Sequence, residues 1–88
     1  MVRLMVMPMP RLEYDPDSHA LYIYLRDFER VARTESRVEW SRNIDYDADG
    51  NPVGVEFWNT DLGLHLDDVP ERETVERLLE GQRFKIFA

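Results

Sequence analysis

Cysteine is absent from this chain. Disulfide scaffolds, thiolate zinc sites and thiol catalysis are excluded with it. Long apolar runs are lacking too. The most apolar stretch, Met1 to Pro10, is interrupted by Arg3 and by prolines at Pro8 and Pro10. A secretory core needs about 7–15 uninterrupted apolar residues and a spanning helix about 20. That stretch therefore reads as an extra edge strand or a loose arm, with no membrane role. Basic residues are in the minority, 11 against 18 acidic ones, for a net charge of −7. Such a chain is poorly suited to direct nucleic-acid contact or to anionic lipid surfaces, and well suited to a basic partner.

What is present fits one folded domain over residues 1–88. The hydrophobic fraction is 43% and the charged fraction 33%, both ordinary for a globular protein. A domain this short buries only about 60–65% of the surface of its unfolded chain, and pairing with another chain often makes up the difference. The composition suits the cytoplasm.

Alternation marks the strands. Arg11 to Tyr14 and Ala20 to Leu25 flank the turn Asp15-Pro16-Asp17-Ser18 and form a first hairpin. Val31 to Trp40 reads as a third strand with a charged row, Arg33, Glu35, Arg37 and Glu39, on a solvated face. Asn43 to Ala48 and Asn51 to Trp58 flank Asp49-Gly50, a pair suited to a two-residue type I′ turn. That turn would set Tyr46 opposite Val53 and Ile44 opposite Val55. Asp68 as N-cap, Glu71 three residues on, and a stripe of Val75, Leu78 and Leu79 predict a helix over about 69–80, closed by Gly81. Arg83 to Phe87 alternates again, as a final strand or a tail docking on a neighbour. The fold class is α+β: an antiparallel β-sheet of four to five strands with one C-terminal helix.

Several of these segments come in a recurring order. Tyr14-Asp15-Pro16 is followed by Ala20-Leu21-Tyr22-Ile23 and Leu25, then Ile44-Asp45 with Asp47 and Gly50, then Val53-Gly54-Val55-Glu56. In this the chain resembles the small prokaryotic family called domain of unknown function 2283, over roughly Arg11 to Thr60. Residues 61–88 are then a C-terminal extension. The resemblance implies a compact β-rich domain. It also implies a conceivable partner role, since some relatives look like the antitoxin-like half of pairs with small toxin-like proteins.

Asp45, Asp47, Asp49-Gly50 and Glu56 match the spacing of an EF-hand calcium loop. An EF-hand loop needs a helix on each side, and here both flanks alternate as strands. These four carboxylates are weak metal candidates. The hairpin reading sends Asp45, Asp47 and Glu56 to one acidic face and leaves Asp49 to the turn. His19 and His65 are far apart in sequence and read as surface residues. Ser18, Ser36 and Ser41 lie in no nucleophile elbow. No catalytic residue and no cofactor are assigned.

Aromatic residues are too many for a one-sided core. A single short helix covers one face of a small sheet, so Tyr22, Tyr24, Trp58, Phe84 and Phe87 are candidate interface residues. The expected function is a non-catalytic protein-interaction module. It would be a homodimer, or the acidic member of a two-protein system with a small basic partner. The alternative is a small metal-binding or enzymatic domain built on the acidic face of the 45–56 hairpin.

Overall fold

The computed structural model describes residues 9–87. The expectation for Met1 to Pro10 falls mostly outside that range. Five strands form one antiparallel sheet: β1 (Arg11–Asp15), β2 (Ala20–Tyr24), β3 (Arg33–Arg37), β4 (Arg42–Tyr46) and β5 (Pro52–Phe57). Their order across the sheet is β1-β2-β5-β4-β3. A hairpin, β1–β2, and a meander, β3–β4–β5, thus meet where β2 pairs with β5. The fold is α+β, with one helix, α1 (Arg72–Leu79), near the C-terminus.

Residues opposite one another in adjacent strands share a face, so the register sorts the side chains into rows. One face carries Leu12, Ile23, Val55, Ile44 and Glu35 in one row, and Tyr14, Leu21, Phe57, Arg42 and Arg37 in the next. Its centre is the core. Leu21, Ile23, Ile44, Val55 and Phe57 are buried there against Leu64, Leu66, Val69, Val75 and Leu79 of the C-terminal extension. Burial of each such side chain is worth roughly 1.5–3 kcal/mol.

The third strand is shorter than the expected Val31 to Trp40. It ends at Arg37, and Val38–Trp40 turns as a 3-10 segment that closes at Ser41 with φ +50°. Arg33, Glu35 and Arg37 share the core side of the sheet and stay solvated only because β3 is its edge.

The central hairpin also departs from expectation. Its loop has three residues, Ala48 to Gly50, because the Asp47 N–H donates to the Asn51 carbonyl and the Gly50 N–H to the Asp47 carbonyl. Gly50 has φ +84°, while Asp49 is not left-handed, so the turn is not type I′. The extra residue is absorbed by an irregularity between Asp45 and Tyr46. Ile44 faces Val55 as expected, but Tyr46 faces Pro52 and not Val53.

The helix starts late. Asp68 has φ +60° and lies outside it, and Glu71, at φ +52°, stands in the N-cap position without a capping side chain. The Glu71 carboxylate instead takes a hydrogen bond from Arg26 at 2.5 Å, and the same Arg26 nitrogen donates to the Pro52 carbonyl at 2.7 Å. That contact ties the helix entrance to β5. Val75 and Leu79 are buried and Leu78 packs beside them. Gly81, at φ +80°, ends the helix as the sequence predicts. Beyond it, the segment Arg83 to Phe87 ends in a short strand. Ile86–Phe87 (β7) pairs in parallel with Leu64–His65 (β6).

Arg42 fastens the extension to the sheet. Its side chain is fully buried, and one terminal nitrogen donates to the carbonyls of His65 (2.9 Å) and Asp67 (2.5 Å). The guanidinium lies 4.9 Å from the Trp40 ring centre. Burial first, then the nearby Arg37, pushes its pKa down.

Candidate functional site

The opposite face of the sheet is built differently. Its rows are Glu13, Tyr22, Glu56, Asn43 and Ser36, then Arg11, Tyr24, Gly54, Asp45 and Thr34. Polar side chains bond one another along both. The Ser36 hydroxyl donates to Asn43, and Asn43 donates to Glu56 at 3.1 Å. The Tyr24 hydroxyl donates to Glu13 at 3.1 Å, and Arg11 pairs with the same carboxylate at 2.8 Å while stacking on the Tyr24 ring.

At the centre, Tyr22 donates to one oxygen of Asp45 at 2.6 Å and Thr34 to the other at 2.5 Å. Tyr22 and Asp45 lie on strands separated by β5, so the ring must cross that strand. It crosses at Gly54. A Cβ at position 54 would collide with the Tyr22 ring and hydroxyl. The motif residues Tyr22, Asp45 and Gly54 are therefore one device: donor, acceptor, and the gap between them. Burial first, then Asp45, pushes the Tyr22 hydroxyl well above the ordinary tyrosine range. A phenol so placed is a fixed donor and not an acid at neutral pH.

Above this network sits an aromatic group. The Tyr22 and Tyr24 ring centres are 4.4 Å apart, and Phe28, half exposed, meets Tyr22 edge-on at 5.6 Å. Asp27 holds the short Phe28–Arg30 turn in place, its carboxylate accepting from the Glu29 N–H at 3.0 Å. A cavity of 280 Å³ opens beside Tyr22, with Glu13, Asp15 and Glu56 in its lining.

The other sequence candidates lie elsewhere. Trp58 is half-buried past the end of β5, its N–H donating to the Ser41 carbonyl. Phe84 packs on the core and meets Tyr14 edge-on at 4.9 Å, and Phe87 stacks on His65 at 4.5 Å. Of the five interface candidates, Tyr22 and Tyr24 lie side by side on the open face. Phe28 joins them without having been singled out in the sequence. Its signal was faint: one aromatic residue in a charged connection.

The four metal candidates do not converge. Asp47 lies just beyond the end of β4. Its carboxylate caps the turn, accepting from the N–H groups of Asn51 (2.8 Å) and Asp49 (2.9 Å). These bonds hold its pKa below the usual carboxylate range. Asp45 is occupied by Tyr22 and Thr34, and Asp49 is exposed in the loop. Among the described residues no group of three or more His, Asp or Glu is placed to hold a metal ion, and no helix is long and apolar enough to cross a membrane.

No curated protein and no solved structure matches the chain. Residues 11–60, the five strands whose motif residues build the open face, match the family described as Protein of unknown function (DUF2283), and the chain belongs to that family.

Proposed function

We propose that this chain is a non-catalytic protein-interaction module, the acidic member of a two-protein complex, which docks a basic partner on the open face of its sheet. One observation carries this reading. The core face is covered by the protein's own extension, whereas the opposite face holds the Tyr22, Tyr24 and Phe28 rings beside the carboxylates of Glu13, Asp15 and Glu56. Rings flanked by acids suit arginine and lysine, through stacking, cation–π contact and ion pairing. The net charge of −7 works against two copies of this face meeting each other and speeds the approach of a basic chain. A cytoplasmic location goes with this reading, since the fold uses no disulfide.

Purification of the tagged chain from its native cells, side by side with the double variant Glu13→Lys and Glu56→Lys, tests the proposal. A basic partner retained by the parent and lost by the variant supports it. Equal retention overturns the assignment of this face. Light scattering on the purified chain then shows whether a second copy occupies the face instead.

A further inference from the structure

A second concave site lies between the β1–β2 turn and the chain that follows α1, and Tyr14 borders both it and the cavity beside Tyr22. Its volume is 590 Å³, within the range of small-ligand sites, and Tyr14 and Phe84 supply ring surface to its wall. The charges around it invert those of the protein as a whole. Arg83, Lys85 and His19 line it against the single acid Asp61, in a chain with 18 acidic and 11 basic residues. Among the described residues Arg83 forms no ion pair, unlike Arg11, Arg26, Arg33 and Arg72.

One feature of the wall is left unexplained by folding. Thr60 is 3% exposed, and its buried hydroxyl has no hydrogen-bond partner. Buried hydroxyls are nearly always satisfied, so an orphan calls for a reason. His19, in the β1–β2 turn, holds φ +53°, a conformation histidine shares with asparagine and aspartate more often than most residues. Its carbonyl accepts from the Thr60 N–H at 3.1 Å, which joins the turn to Thr60 in one wall.

We propose that this site binds a small anion, a carboxylate or phosphate carried on a flat apolar group. Arg83 supplies the positive charge, Thr60 the unused hydroxyl, and the Tyr14 and Phe84 rings the surface for the apolar part. Its charged groups are distinct from Glu13, Asp15 and Glu56 of the open face, although Tyr14 borders both cavities.

Titration of the 15N-labelled full chain with phenyl phosphate and benzoate, followed by amide shifts, tests this. The expected result is saturable shifts at residues 19, 60–62 and 81–85 with at least one of the two anions, and none with benzyl alcohol at the same concentration. Arg83→Gln is expected to weaken binding about tenfold or more, the size of a lost charge-assisted hydrogen bond. Thr60→Val is expected to weaken binding severalfold without lowering the melting temperature, because the hydroxyl it removes has no partner in the free protein. Inorganic phosphate is expected to bind more weakly than phenyl phosphate. Failure of both anions to saturate, or equal binding by Arg83→Gln, overturns the site. Equal binding of inorganic and phenyl phosphate overturns the role given to the rings.

Discussion

The two faces of this sheet are made from the same five strands by opposite means. On the covered face, interior apolar side chains exclude water, and one arginine, Arg42, reaches through them to hold the extension. On the open face, order comes from hydrogen bonds that run from strand to strand, with Asp45 accepting from both sides. The first arrangement is non-directional and tolerates modest changes of shape at fixed volume. The second depends on single atoms and on one missing side chain, that of Gly54. Stability therefore resides mainly in the covered face, and the definition of the open surface in a few polar contacts.

Cutting into the covered face should have the largest effect. Phe57 is 1% exposed at the middle of the core, and Phe57→Ala is expected to cost about 3–5 kcal/mol. That is a large part of the stability of a small domain. Urea unfolding followed by far-ultraviolet circular dichroism measures it, and a loss below about 1 kcal/mol would contradict the packing described.

The open face breaks at Gly54. Gly54→Ala forces the Tyr22 ring aside and is expected to cost about 1–3 kcal/mol. In a Tyr22→Ala background the same change should cost far less, since nothing then crosses position 54. A double-mutant cycle shows this as strong coupling, and additive effects would mean the ring does not lie over Gly54.

A pH series sharpens the contrast. Tyr22 has a raised pKa in the folded protein. Its contribution is fully present below the ordinary tyrosine value, near 10, and is lost as the pH rises above that value toward the folded pKa. Unfolding midpoints measured from pH 8 to 11.5 should fall on the alkaline side, and Tyr22→Phe should flatten that fall. An unchanged alkaline limb in the variant would assign the effect to other groups.

The smallest effect is expected in the loop, which belongs to neither face. At Gly50 nothing lies within 4 Å of a built Cβ. Gly50→Val should therefore cost only the strain of φ +84°, about 1 kcal/mol. A melting-curve comparison with Gly50→Asn, which tolerates that conformation better, isolates the backbone term.

These contrasts explain what could be read in the sequence and what could not. The alternation in Leu21, Ile23 and Leu25 marks a core strand whatever its neighbours are, and Gly81 ends a helix by local geometry alone. Asp49-Gly50 suits a two-residue turn on its own, but the capping carboxylate of Asp47 favours a loop one residue longer, Ala48 to Gly50. Asp68 is a good helix cap in isolation, but it holds φ +60°, and the helix begins only at Arg72, after the buried Val69 and the Arg26–Glu71 contact. The link from Tyr22 to Asp45 was out of reach, since it depends on β5 lying between β2 and β4. The inward course of Arg42 was equally hidden, because a charged residue in a strand reads as surface.

Strand order also sets a timetable for the nascent chain. β1 and β2 can pair as soon as residue 24 has left the ribosome, but β2 finds its other neighbour only when β5, ending at Phe57, has emerged. Until then the first hairpin carries an unpaired edge with Leu21 and Ile23 uncovered, a condition that invites association with other chains. Slow decoding between codons 25 and 57 would prolong that interval, so synthesis speed over this stretch bears on the yield of folded protein.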